Sequence, residues 1–173
     1  MQDTQNFDGF YQGSVRRITS YIHAMTGDLA EAEDIVQEAY ARAWQHWGKV
    51  SEYGNPEAWV RTVAFRIQIS AWRKTTNRLR AHHRHGRPPD QPELNPDYVA
   101  IINALRKTSE TQRRALTLHY VLDLTVEEIA EETGVAVGTV KARLHRGRKA
   151  LSRHLTDGGR SVRGLGEELH NHG

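Results

Sequence analysis

The stretch LTVEEIAEETGVAVGTVKARLHRGRKAL, Leu124 to Leu151, decides the fold. Thr125 and Glu128 form a capping-box pattern, in which the hydroxyl takes an orphan amide at a helix start and the carboxylate returns to the amide of Thr125. Ile129 and Ala130 follow on the core side, and the small Ala130 lets a second helix cross closely. Gly134 stands where the chain must turn sharply, a conformation that glycine takes without strain. Val140, Leu144, Leu151 and Leu155 then carry a second helix onto the core at offsets of four, seven and four. The other faces of that helix hold Thr139, Lys141, Arg143, His145, Arg146, Arg148 and Lys149. A helix so rich in exposed Arg and Lys, opening on a small Gly138–Thr139 pair, suits insertion into a DNA major groove. The plain alternative is a bundle hairpin with a charged outer face. Capping box, Ala, Gly and apolar spacing together favour the DNA-binding helix-turn-helix over it.

Before this hairpin, Tyr98, Ile101, Ile102 and Leu105 form one amphipathic stretch, and Ala115, Leu118, His119 and Leu122 form another. Further upstream, AHHRHGRPPDQPELNP, residues 81–96, holds four of the five prolines and reads as a linker. The N-terminal unit carries Phe7, Phe10, Tyr11, Ile18, Tyr21 and Ile22 at helical spacing up to Gly27. From Asp28 to Trp47 a second helix is expected, with Val36, Tyr40, Ala43 and Trp47 inward and Asp34, Gln37, Glu38 and Ala41 on a different face. GKVSEYGN, Gly48 to Asn55, is expected to be a loop. Pro56 suits the first turn of a third helix reaching about Arg78. On it Trp59, Val63, Ile67 and Ala71 are expected inward, leaving Arg61, Arg66, Arg73 and Lys74 for solvent or ligand. Sustained period-two alternation is absent, so the whole chain reads as all-α.

At 173 residues the chain can make one medium domain or two small ones. The absence of cysteine excludes disulfide scaffolds, thiolate zinc sites, iron–sulfur clusters and cysteine nucleophiles. No apolar run reaches the ~18 residues that a spanning helix needs, and MQDTQNFDGF lacks the blocks of a signal peptide, so a soluble cytoplasmic protein without membrane insertion is expected. Net charge is only +3, but its distribution is uneven. Residues 61–87 hold eight Arg and Lys and residues 139–153 hold six, without one acid in either stretch. Residues 28–38 and 123–132 hold five acids each and no Lys or Arg. Two basic stripes, each preceded by an acidic one, point to polyanion contact at two places. His82, His83 and His85 are imidazoles at close spacing, but with no cysteine and no carboxylate before Asp90 a polar linker explains them better than a metal site. There is no phosphate-binding glycine loop, nucleophile elbow or HExxH pattern, so neither an enzyme nor a cofactor is expected. The glycine-rich segment from Asp157 to Gly173 reads as a flexible tail, or as a short helix around Leu165 to His170 that orders on a partner.

The motifs resemble those of one family. GTVKARLHRGRKAL resembles the region 4 recognition helix of bacterial sigma factors of the extracytoplasmic-function (ECF) group, in the sigma-70 family. AEDIVQEAYARAW, Ala32 to Trp44, resembles their region 2 polymerase-binding helix, and PEAWVRTVAFRIQISAWRK, Pro56 to Lys74, is similar to the helix that follows it. The resemblance runs in the family's order from Phe7 to Leu155. It implies a region 2 domain over 1–80, a linker over 81–96, a region 4 domain over 97–157 and a tail over 158–173. It also implies a factor that binds core RNA polymerase, at the β′ clamp coiled coil and the β subunit, and directs it to promoter DNA.

By that resemblance Asp34, Gln37 and Glu38 match the positions that dock on the clamp coiled coil. The loop from Lys49 to Asn55 and the helix from Trp59 to Lys74 fall on the minus-ten reader, with Tyr53, Asn55, Arg61, Arg66, Arg73 and Lys74 as the contact residues. Aromatic rings and cations suit unpaired bases there, since rings stack on base faces and cations track the backbone. Lys141, Arg143, His145 and Arg146 fall on the minus-thirty-five positions, with Thr139, Arg148 and Lys149 nearby for phosphate. An anti-sigma factor covering both domains is a further partner that the family implies. The sequence departs from the family at Arg66, where Asn is common, and at Ser70, where Asp is common. An Arg cannot reproduce an amide's paired donor and acceptor, although it can hold phosphate. Two rivals fit parts of the chain: a stand-alone helix-turn-helix regulator, and a polymerase- or sigma-binding module that does not open DNA.

Overall fold

The computed structural model describes residues 2–79 and 95–157, with side chains over 6–75 and 95–157. Most of the expected linker, including His82, His83 and His85, lies outside the described residues, as does the tail from 158 onward. Every regular element among the described residues is an α-helix, in keeping with the all-α reading. The chain divides into two compact units, Met1–Asp90 and Gln91–Gly173.

The first unit contains α1 (Gln2–Thr26), α2 (Leu29–Gln45), α3 (Trp47–Val50) and α4 (Pro56–Leu79). Gly27 takes φ 77° and ends α1, its amide bonding to the carbonyl of His23 at 2.7 Å. Asp28 then caps α2 by accepting from the amide of Glu31 at 3.0 Å. The core forms where Ile18, Tyr21, Ile22 and Met25 of α1 meet Ala32, Val36, Ala39 and Ala43 of α2 and Val60 and Ala64 of α4. Each large side chain fully buried there stabilises the fold by about 1.5–3 kcal/mol. The expected stripe of Val36, Tyr40, Ala43 and Trp47 is buried throughout. Trp47, however, opens the short helix α3, so the segment read as a loop from Gly48 begins with a helical turn and only Ser51–Asn55 is loop. Trp47 stacks on Phe10 with centroids 5.0 Å apart, and Val50 is also buried. That burial draws residues 47–50 onto the core.

α4 lies on the core by a different face from the one expected. Val60, Arg61, Ala64 and Gln68 are buried, whereas Trp59, Val63, Ile67 and Ala71 are only half-buried. The helix is apolar around most of its circumference, so periodicity alone does not set its rotation. The small side chain of Ala64 favours close approach, and Glu57 supplies a partner that lets the Arg61 charge be enclosed.

The second unit contains α5 (Pro96–Arg106), α6 (Glu110–Tyr120), α7 (Val126–Thr133) and α8 (Val137–Asp157). Asn95 caps α5, accepting from the amide of Asp97 at 3.0 Å, and Pro96 opens the helix. The last two residues of the expected linker therefore belong to this helix start. Between α5 and α6, Arg113 reaches back from α6. Its Nε donates to the Leu105 carbonyl at 2.9 Å, and its Nη2 donates to those of Arg106 at 2.9 Å and Thr108 at 3.0 Å. The Thr125–Glu128 capping box is formed in both directions, with bonds of 3.2 and 2.8 Å. Gly134 takes φ 68°, and its amide bonds back to Ala130. Ile102, Leu105, Leu116, Leu118, Ile129, Val140, Leu144 and Leu151 fill the core. Leu122 lies beyond the end of α6, and it and Leu155 are half-buried rather than central.

Candidate polymerase- and DNA-binding surfaces

On α2 the sequence dictates a two-faced helix. Ala32, Ile35, Val36, Ala39, Tyr40 and Ala43 are buried, while Asp34, Gln37 and Glu38 are exposed together on the opposite side. Glu38 Oε1 accepts from Arg42 Nε at 2.9 Å, one turn on. With both side chains half in solvent, this pair contributes only a few tenths of a kcal/mol, and a partner can displace it cheaply. Trp44 continues the same face at seven residues from Gln37 and is 46% exposed. The sequence reading did not single it out, although its place off the Val36, Tyr40, Ala43 and Trp47 stripe was the available signal. Beside Gln37, an open groove of about 390 Å³ runs between α1 and α2, lined in part by Tyr11, Arg16, Glu33 and Val36.

A second surface is formed by the Ser51–Asn55 loop and the outer side of α4. Tyr53 is 48% exposed, as an aromatic free to stack on a base would be. Asn55 has a structural task as well, since its Oδ1 accepts from the amide of Ala58 at 3.0 Å and caps α4. Arg66, Arg73 and Lys74 are exposed. Arg66, Ser70 and Arg73 fall at i, i+4 and i+7 and so share one face, which the half-buried Trp59 and Val63 continue toward the helix start. Arg61 is not among them. It is only 3% exposed and its Nη1 lies 3.2 Å from Glu57 Oε1, which overturns the expectation that it is left for solvent or ligand.

The third surface is α8. Thr139, Lys141, His145, Arg146 and Lys149 are exposed, and Arg143 and Arg148 are half-buried. At about 100° per residue, Arg146 and Lys149 lie near the crest opposite Leu144, Lys141 and Arg148 on one flank and Arg143 on the other. Arg148 leans toward the core side, its Nη1 3.5 Å from the Tyr120 hydroxyl. Arg143, Arg146 and Thr139 border a depression of about 440 Å³, which Thr111 and Gln112 of α6 complete. Those two residues lie far upstream in sequence, and only the packing of α6 on α8 brings them there. Among the described residues no group of three His, Cys, Asp or Glu side chains could hold a metal ion, and no helix is long and apolar enough to cross a membrane.

Comparison with known proteins follows the same division. Residues 10–78 match the family described as Sigma-70 region 2, and residues 98–151 match Sigma-70, region 4. The ECF RNA polymerase sigma factor SigL of Mycobacterium tuberculosis (strain ATCC 25618 / H37Rv) is 36% identical over 138 residues, covering 76% of this chain and 78% of SigL. SigW of Bacillus subtilis (strain 168), also an ECF RNA polymerase sigma factor, is 29% identical over 157 residues, covering 82% of this chain and 84% of its own. Among solved structures, the sigma factor RpoE of Bartonella quintana, crystallised with the anti-sigma factor NepR, shares the fold with a TM-score of 0.73 at 23% identity, covering 88% of this chain and 98% of that one. A stand-alone helix-turn-helix regulator would account for the second unit only, and the region 2 match over the first unit removes that alternative. The chain belongs to the ECF sigma factors of the sigma-70 family, the subunits that bind core RNA polymerase and direct it to promoters for transcription initiation.

Proposed function

We propose that the three surfaces divide this work among them. Asp34, Gln37 and Glu38 dock on the β′ clamp coiled coil. Tyr53, Asn55, Arg66, Arg73 and Lys74 meet the minus-ten strand once it is unpaired. Lys141, Arg143, His145 and Arg146 read the minus-thirty-five element, with Thr139, Arg148 and Lys149 on phosphates. Residues 1–80 then act as the region 2 domain and residues 97–157 as the region 4 domain. The protein contributes binding energy and no catalytic group, the chemistry remaining with the polymerase, and it works in the cytoplasm. Capturing unstacked bases offsets the few kcal/mol that unstacking each costs, which drives opening. RpoE of Bartonella quintana is held by the anti-sigma factor NepR, and by extension an anti-sigma partner restrains this protein too.

The observation that carries the reading is the composition of α2. Two carboxylates and an amide gather on its exposed side while the whole opposite side is buried. Reversing the charges of Asp34 and Glu38 to Lys tests it. Co-elution with core polymerase is expected to be lost at unchanged helical content, and retained co-elution would refute the docking assignment.

A further inference from the structure

Polar side chains from three helices converge beside the first turn of α4. Glu57 Oε2 accepts from Arg17 Nη2 of α1 at 2.6 Å, and its Oε1 lies 3.2 Å from Arg61 Nη1 one turn along α4. Next to them, Ser14 of α1 donates to the Phe10 carbonyl at 2.6 Å, so the Tyr40 hydroxyl of α2, also 2.6 Å away, donates to Ser14. Burial pushes the Tyr40 phenol up to about 12, with the Glu57 carboxylate adding to the rise and Arg17 opposing it. All five groups therefore form one electrostatic cluster joining α1, α2 and α4.

The cluster is an expensive way to fill this space. Arg61 is 3% exposed between Val60 and Ala64, which are fully buried. Desolvating a charge is compensated only by good pairing, and an apolar side chain of similar size would serve stability as well or better. What a bridged carboxylate provides instead is geometry. Glu57 is held through both oxygens, one from α1 and one from its own helix. It lies two residues after Asn55, whose side chain caps α4 and whose position ends the loop carrying Tyr53. The other end of that loop is tied to α3 by the Tyr53 amide on the Val50 carbonyl at 3.2 Å. Locking the start of α4 thus fixes the one end of the loop that α3 leaves free.

We infer that the Arg17–Glu57–Arg61 bridge is a positioning device for promoter DNA, holding the first turn of α4 against α1 so that Tyr53 is presented to unpaired bases. Arg61 acts through Glu57 and touches no DNA. The inference rests on the minus-ten reading of the Tyr53 loop given above.

The test uses holoenzyme assembled from the full chain and core polymerase. Two probes come from a promoter on which it initiates: a fork-junction DNA with an unpaired minus-ten strand, and a duplex carrying the minus-thirty-five element alone. Glu57→Gln keeps the shape and removes the charge, and is expected to weaken fork-junction binding by about tenfold, the effect of losing a charge-assisted contact. Affinity for the duplex and for core polymerase is expected to stay unchanged. Arg17→Gln, at the solvent end of the bridge, should shift fork binding in the same direction by about threefold. In a Tyr53→Ala background Glu57→Gln should lose most of its effect, because both act through one contact. Unchanged fork binding in Glu57→Gln, where Tyr53→Ala does weaken it, would overturn the bridge alone. Parallel losses in core and fork affinity would also overturn it, since they mark a purely structural residue. No effect of Tyr53→Ala itself would overturn the minus-ten reading and the inference with it.

Discussion

Gly147 of α8 backs directly onto Leu116 of α6. A Cβ at position 147 would stand 3.0 Å from Leu116 Cδ1 and 3.1 Å from its Cγ, and Leu116 is itself 2% exposed. α8 is seated on α6 through this contact, so its position relative to the depression shared with Thr111 and Gln112 depends on having no side chain there. Gly147→Val should destabilise the second unit by about 2–3 kcal/mol through overpacking. All four Trp residues lie in the first unit. Unfolding of the second is therefore followed by the loss of helical circular dichroism, while Trp emission reports on the first.

Arg113 carries the turn between α5 and α6 through its three carbonyl contacts. Burial is the main cause that holds its guanidinium below the ordinary value, with Arg106 acting in the same direction and Glu110 against it. Arg113→Met would leave the Leu105 and Thr108 carbonyls without that donor and should cost about 3 kcal/mol in urea unfolding. Arg113→Lys should recover only part of this, because an ammonium lacks the planar fork that reaches several acceptors at once.

His23 is buried near the end of α1, and its pKa is lowered from 6.5, chiefly by desolvation, with Asp28 pulling the other way. The unfolded chain takes up a proton near 6.5 that the folded chain resists, so stability is fully present above 6.5 and is lost as pH falls toward the depressed folded value. The urea midpoint of the first unit, followed by Trp emission, should be lower at about pH 5 than at about pH 7.5. His23→Gln should flatten that slope.

The placement of the α8 cations separates two kinds of contact. Arg146, near the crest, is expected to read a base edge, so Arg146→Ala should cost about 1–3 kcal/mol on the preferred minus-thirty-five sequence and little on others. Arg148 leans to the flank beside Tyr120 and suits a phosphate. Arg148→Ala should weaken binding evenly across sequences and reduce the salt slope by about one.

How much of this was legible in the sequence depended on whether a local rule applied. The capping box at Thr125 and Glu128, the left-handed Gly134 and the two faces of α2 are local, because each is fixed by residues within a turn or two of one another. Even Gly147 left a trace, as the missing step between Leu144 and Leu151 in the apolar stripe. The rotation of α4 was not legible. Trp59, Val63 and Ile67 make as good an apolar stripe as Val60 and Ala64, and the choice between them is made by packing against α1 and α2. Arg61 followed from that choice, since enclosing it requires the Glu57 carboxylate one turn away, which Arg17 also engages from 40 residues before Glu57. The pairing of Thr111 and Gln112 with Arg143 was equally hidden, because helices remote in sequence create it.

As an ECF sigma factor this chain joins core RNA polymerase and selects promoters. Mixing the purified protein with bacterial core polymerase, following the complex by size-exclusion chromatography and mapping run-off transcripts on genomic fragments tests both halves of that statement. Co-elution together with defined new start sites is the predicted result. Co-elution without transcripts would contradict the claim in favour of a module that binds polymerase but does not open DNA, and failure to co-elute would contradict it outright.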